Sequence, residues 1–391
     1  MSSSDEHRSM PRRLVDGMFR FVDDRIPETW RSRLGMVRGT FVQMPLEQIR
    51  RLVLLVRHFD SYREIDRAIF YHRYAATLFV AHRLGLFEEL VDKARTVEEL
   101  ATVCDVEPAA VHNLLDILEA QQLVEYDGRR WRLVEFSREF FRRDSPVSLS
   151  PLFDIGASYA EAFPDLVDGA RSGRTAPVLD VFDDDGRIDE LLDGVNSYLS
   201  QAGRELVARV DWPEIRHVIA GSMGVSFSSL ILSEFPQARV TYGCLPHLVE
   251  RIPRLRTEYG VDGSRVVETH AHGGEPQQDQ WGREAFDLVF LTKKMILDPD
   301  NDLGDKFAQK ALEVLEPGGV AVFWETMRED DGSTPVERAM EGFLDFGVSP
   351  TGPLLTRSGF RRRLEKIGYS DVEVVPCLEG ATTFVVARAG E

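Results

Sequence analysis

His217-Val-Ile-Ala-Gly-Ser-Met-Gly-Val-Ser-Phe227 is the stretch on which the fold turns. Its first four residues form a short, β-branched run suited to a buried strand. The glycines after it mark a turn, and an apolar helical stretch follows. Further on, Arg239 to Tyr242, Arg265 to Thr269, Phe286 to Leu291 and Gly319 to Glu325 repeat the strand signal, with helical stretches between most of them. Val372 to Val375 and Thr382 to Ala387 sit close together as a hairpin. Such alternation predicts a doubly wound, Rossmann-like α/β sheet whose ligand crevice lies at the carboxyl ends of the strands.

Upstream of Trp212-Pro213 the period is helical. Ala75, Leu78, Phe79, His82 and Leu86 line one face, and Thr96 opens a capping box with Glu99. Pro108 suits a first helical turn, and the helix behind it carries Val111, Leu114, Leu115 and Leu118 on one stripe. Leu123 to Val134 alternates around Asp127-Gly128, a strong hairpin signal. Helix, turn, helix, hairpin is a winged-helix pattern. The domains expected are a helical extension over 1–64, a winged helix over 65–148, a helical roof over 149–211 and the α/β domain over 212–391. The apolar stripes before residue 65, among them Leu14, Met18, Phe19 and Val22, lack a core of their own and predict a partner surface.

Composition narrows the function classes. Across 391 residues, 47 basic side chains face 65 acidic ones, and the net charge of −18 opposes a phosphate backbone. The second helix of the winged motif carries His112, Asn113, Asp116 and Glu119 on its polar side, without a cation to read bases. Arg129, Arg130 and Arg132 read as a solvated wing, so no nucleic-acid partner is expected. The 3 cysteines, Cys104, Cys244 and Cys377, lie far apart, as reduced thiols do. Cys244 and His247, with His270 and His272, lack the second cysteine pair a zinc site needs, so no metal is expected. Asp180 to Glu190 resembles a calcium loop but misses its first oxygen ligand. The Met1-Ser-Ser-Ser-Asp-Glu-His7 start and the lack of a long apolar run predict a cytoplasmic chain without a membrane span.

Several runs carry a family likeness. Tyr71 to Phe87, Thr96-Val-Glu-Glu-Leu-Ala101 and Leu123-Val-Glu-Tyr-Asp-Gly128 resemble the dimerising winged-helix domain of small-molecule O-methyltransferases. These are the S-adenosylmethionine-dependent, class I enzymes of the plant caffeate and bacterial polyketide type. Phe235-Pro-Gln-Ala-Arg-Val240, Leu245-Pro-His-Leu-Val249, Phe286 to Lys293, Leu315-Glu-Pro-Gly-Gly319 and Thr356-Arg-Ser-Gly-Phe360 follow in family order, so the likeness spans roughly residues 65 to 388. It implies a dimer and a buried substrate chamber, roofed near Asn196 and Tyr198. His247 joins these two as a candidate substrate contact.

The functional motifs of that family are altered here. Its glycine-rich loop, D-x-G-G-G-x-G, corresponds to Ile219-Ala-Gly-Ser-Met-Gly-Val225, which keeps Gly221 and offers Gly224. The ribose-binding acid corresponds to Cys244, and the acid beside the adenine to His272. The run K-x-x-x-H-D becomes Lys293-Lys-Met-Ile-Leu297-Asp298, with leucine at the histidine base. Glu325 matches one acid that orients that base, and leucine stands at the other. These losses predict degraded cofactor positions at Gly221, Gly224, Cys244 and His272, and no cofactor. The function expected is therefore an S-adenosylmethionine-independent cyclisation or elimination on a small or carrier-bound natural-product intermediate. Asp298 or Glu325 would act as base, and Lys293 would stabilise negative charge. A non-catalytic helper subunit and an O-methyltransferase with residual cofactor binding are the alternatives. The partner would be a second copy or another protein, reached through the N-terminal helices.

Overall fold

The structure, a computed structural model, describes residues 59–143, 145, 147–172, 185–271, 281, 286–292, 303–333 and 354–390. His272, Lys293, Leu297 and Asp298 lie outside the described residues, as do the stripes expected before residue 59. Two units divide the chain, Met1–Ala75 and Ala76–Glu391; the wing hairpin, the helices over 150–209 and the sheet belong to the second.

Helix α1 spans Phe59–Arg83 and α2 Leu86–Val91, joined through Gly85 in a left-handed conformation with φ 72°. Helix α3, Val97–Val103, begins at the expected capping box: Glu99 N donates to Thr96 Oγ1 at 3.2 Å, and Thr96 N donates to Glu99 Oε2 at 3.0 Å. Helix α4, Pro108–Ala120, buries Val111, Leu115 and Leu118. Strands β1, Val124–Tyr126, and β2, Trp131–Leu133, pair antiparallel as the wing. Asp127 Oδ1 closes the turn by accepting from Arg129 N at 2.9 Å and Arg130 N at 2.8 Å, and Gly128 takes φ 94°. Arg130 donates to Glu99 at 2.9 Å and Arg132 to Glu125 at 2.7 Å, so acids occupy much of the wing's basic cluster. The core beneath holds Leu86, Phe87, Leu100, Leu115 and Trp131, with Phe87 stacked on Phe141 of α5, Glu135–Phe141, at 3.7 Å.

Two long helices follow, α6 over Ser150–Ser172 and α7 over Asp185–Arg209. His82 Nε2 meets Asp154 Oδ1 at 2.6 Å, tying α1 to α6. The remaining elements in order are β3 His217–Ala220, α8 Val225–Glu234, β4 Arg239–Cys244, α9 Ile252–Glu258, β5 Val266–Ala271, β6 Phe286–Thr292, α10 Leu303–Val314, β7 Leu315–Glu325, α11 Arg357–Ile367, β8 Tyr369–Cys377 and β9 Thr382–Ala389.

They form a seven-stranded sheet in the order β5-β4-β3-β6-β7-β9-β8. The first five strands are parallel, and β9 runs antiparallel to both β7 and β8. The order reverses between β3 and β6, which is where such sheets open a ligand crevice. One face of the sheet carries Leu199, Leu206, Phe227 and Ile231 from α7 and α8; the other carries Phe307, Ala311, Phe360 and Leu364 from α10 and α11. Both faces being covered explains the near-continuous apolar strands, such as Val320 to Trp324, buried throughout. Strand β7 begins at Leu315, before the Gly319 expected, because Leu315 pairs with Phe286 ahead of a register shift that leads to the pairing of Leu288 with Val320.

Candidate functional site

The crevice begins where β3 ends. Ile219, Ala220 and Gly221 form one wall, Gly243 of β4 another, and Val289 to Thr292 of β6 a third. Trp281 and Phe307 close it, leaving a mostly apolar space of about 50 Å³. The Trp281 indole N–H is buried without a hydrogen-bond partner. Small residues at Ala220, Gly221 and Gly243 expose bare backbone to this space. A β-carbon on Gly221 would reach Gly243 O at 3.4 Å, an ordinary contact, whereas one on Gly224 would meet the Phe290 ring at 2.6 Å. Glycine is thus required at Gly224 by the close approach of the loop to β6.

The loop between β3 and α8 is a single tight turn, Ser222–Gly224, closed by Gly224 N donating to Gly221 O at 2.9 Å. Its shape is held from α7. Asn196, fully buried, donates from Nδ2 to Ser222 O and to Leu192 O, both at 2.9 Å, and accepts from Ser226 N at 2.9 Å. Both ends of that amide are engaged with backbone. Thr292 Oγ1 lies 3.9 Å from Met223 Sδ on the opposite side. Asn196 therefore sits under the loop, where its geometry is that of a clamp; the sequence marked it only as a roof residue.

Cys244 ends β4 and is buried. Burial pushes its thiol up to about 12, against contacts from the Ser222 backbone N–H and hydroxyl that pull the other way. It remains a neutral, weak hydrogen-bonding group beside the loop. Glu325 ends β7 at 1% exposure, opposite Thr383 of β9, with Trp324 beside it donating to Thr382 Oγ1 at 2.6 Å. Tyr198 packs its ring 5.9 Å from Trp324, which brings helix α7 to the end of β7. His247 lies after β4 on the exposed side of a short turn, its carbonyl accepting from Arg251 at 2.7 Å. Gly221, Gly224, Cys244 and Asn196 thus gather around one loop, while Tyr198 packs on Trp324, the residue before Glu325 in β7. Trp281 gave no signal in the sequence, since a tryptophan outside any motif reads as core. Among the described residues, no group of three or more metal-ligating side chains forms.

This strand order, crevice position and winged N-terminal part define a class I methyltransferase fold, and the chain resembles the small-molecule O-methyltransferases of the plant and bacterial polyketide type. No protein-family model matches the chain. It is 24% identical over 320 residues to 3-hydroxy-5-methyl-1-naphthoate 3-O-methyltransferase of Streptomyces sahachiroi, across 80% of this chain and 90% of that one. It is 24% identical over 311 residues to the N,N-dimethyltransferase OxyT of Streptomyces rimosus, across 76% and 88%. Human N-acetylserotonin methyltransferase, solved in complex with SAM, superposes with a TM-score of 0.71 at 17% identity, across 85% of this chain and 98% of that one. PigF with SAH superposes at 0.68 and 18% identity, across 84% and 99%.

These comparisons correct the sequence-based expectation of function. A cofactor-independent cyclisation or elimination, and the absence of a cofactor, are overturned by sequence relatives that are methyltransferases and by structural neighbours solved with SAM and SAH. The physical reason is that motif letters do not fix main-chain geometry. Bare backbone at Gly221 and Gly243 and the glycine-dependent approach at Gly224 are properties of main chain, which altered side chains leave in place. Among the described residues, no helix is long and apolar enough to cross a membrane.

Proposed function

We propose that this protein transfers a methyl group from S-adenosylmethionine to a heteroatom, foremost an oxygen, of a small aromatic intermediate. The observation that carries this reading is the strand-end crevice: bare backbone at Gly221 and Gly243 beside apolar β6 residues and the unpartnered Trp281 N–H. Those features fit the flat, apolar face and ring nitrogens of an adenosine. Gly221 and the Ser222–Gly224 turn would hold the methionine side, and Cys244 would lie by the ribose. When bound, the cofactor supplies an electrophilic methyl carbon on a sulfonium.

The chain's own part is then positional. With Leu297 where the family likeness implies a histidine, the acceptor must bring its own nucleophilicity, as an amine or an acidic phenol does, and orientation supplies the acceleration. Tyr198 and Trp324 offer aromatic packing for an acceptor ring. Glu325, buried at the strand end, is the group we assign to accept the acceptor's hydrogen bond. The relatives' substrates, a hydroxynaphthoate among them, support the aromatic class. Exposed Ile65, Ile69, Phe70 and Tyr71 on α1 support self-association through that helix.

The test is to incubate purified protein with deuteromethyl-labelled S-adenosylmethionine and a panel of hydroxynaphthoates and aromatic amines, reading products by mass. A labelled methyl product, reduced by Glu325→Gln through kcat more than KM, is expected. A panel without any labelled product, beside a protein that fails to bind the cofactor, overturns the reading.

A further inference from the structure

A second concave site shares no lining residue with the crevice. It is a cleft of about 510 Å³ bounded by α7, α8, the residues after α9 and the segment leading into α6. Helix α7 presents Ser197, Ser200 and Arg204 along one face, and α8 presents Ser226 and Ser229. Arg143 and Ser148 stand on the wall before α6.

Accounting for the hydrogen bonds shows a surplus of donors. The Ser197 hydroxyl donates to Ser148 O at 2.9 Å and the Ser229 hydroxyl to Tyr259 O at 2.6 Å, so these two are spent. Ser148 Oγ accepts from Ser150 N at 3.3 Å, which leaves its own proton to give. Ser226, at 1% exposure, has a buried hydroxyl without a partner. Ser200, at 8% exposure, makes no hydrogen bond among the described residues, and Arg204 makes no ion pair there. Arg143 stands 3.7 Å from both Glu88 and Asp154, with its side chain 62% exposed. The carboxylate on the wall, Glu258, is paired with Arg254 at 3.3 Å, and burial pushes its carboxyl up towards the neutral form.

Buried donors without acceptors cost free energy until an acceptor arrives. A ligand group made only of acceptor oxygens, addressed from several directions and carrying negative charge, satisfies hydroxyls and guanidinium together. We propose that this cleft binds a phosphate monoester, its phosphoryl oxygens held by Arg204, Ser200 and Ser226. The volume far exceeds the ~30 Å³ that one water occupies, so an organic group attached to the phosphate has room beside Tyr259 and Leu230. In a chain of net charge −18, such a site is a local exception to a field that repels anions.

The experiment is calorimetric titration of the full chain with glycerol 3-phosphate and, separately, inorganic phosphate, at constant ionic strength set with chloride. Wild type, Arg204→Gln and Ser200→Ala are compared, and thermal unfolding of each verifies the fold. Saturable binding of one glycerol 3-phosphate per chain is expected, weakened about tenfold by Arg204→Gln and less by Ser200→Ala. The melting temperature of the ligand-free variants and their affinity for S-adenosylhomocysteine should stay at the wild-type value, which separates this site from the crevice. Absence of saturation, or equal affinity in Arg204→Gln, overturns the site. Inorganic phosphate binding while the ester is excluded overturns the ester assignment.

Discussion

The wing and the loop between β3 and α8 make opposite use of their residues. In the wing, side chains carry the structure: Asp127 caps the turn, Thr96 and Glu99 cap each other, and Arg132 meets Glu125. In the loop at Ser222–Gly224, main chain carries it, and the side chain that grips that main chain, Asn196, comes from α7 some way back in the chain. Local side-chain rules are therefore legible in the wing and silent in the loop. Disturbing the two regions should separate them, in stability and in ligand affinity.

The largest effect is expected at the clamp. Asn196→Ala leaves Ser222 O and Ser226 N without their side-chain partner, while Leu192 O keeps its helical bond from the residue 196 backbone, a loss of roughly 3 kcal/mol by the cost of unsatisfied buried groups. Urea unfolding should show it, and cofactor affinity should fall with it. Next comes Gly224→Ala, whose new β-carbon would press on Phe290. About 1–3 kcal/mol of overpacking is expected, again with weaker cofactor binding. If this variant were as stable as wild type, the close approach of loop and β6 would be wrong.

Thr96→Ala should cost about 1 kcal/mol by loss of the cap while leaving cofactor affinity unchanged. An effect of the wing variant on affinity would break the contrast between the regions. The smallest effect is one of pH. The Cys244 thiol is pushed up to about 12 by burial, so the folded state holds this proton more tightly than the unfolded chain. Its contribution is complete below the ordinary thiol range and is lost as pH rises from there towards about 12. Cys244→Ala should flatten that alkaline decline in unfolding free energy; an unchanged slope would place the thiol in contact with water.

Much of the fold was legible in the sequence for the same reason the wing was. The capping box, Pro108 and Asp127-Gly128 act through neighbours a few residues away, and apolar runs such as His217 to Ala220 announce strands that both faces of the sheet bury. The site was less legible. Reading Ile219 to Val225 by its letters suggested a lost cofactor, because a motif records which side chains are absent and not what the remaining backbone can hold. Asn196 looked like a chamber residue, since its partners on the loop, Ser222 and Ser226, meet it only through the fold. Trp281 and Ser226 carried no periodic or motif signal; their unpartnered polar atoms exist only once the chain is packed around them.

The most direct measurement is calorimetric titration of wild type and Asn196→Ala with S-adenosylhomocysteine. Saturable binding of one ligand per chain at roughly micromolar strength in wild type, weakened at least about tenfold in a folded Asn196→Ala, is the expected result. Absence of heat in wild type would contradict a cofactor crevice at the ends of β3 and β4. Equal affinity in the two proteins would contradict the clamp that gives the crevice its shape.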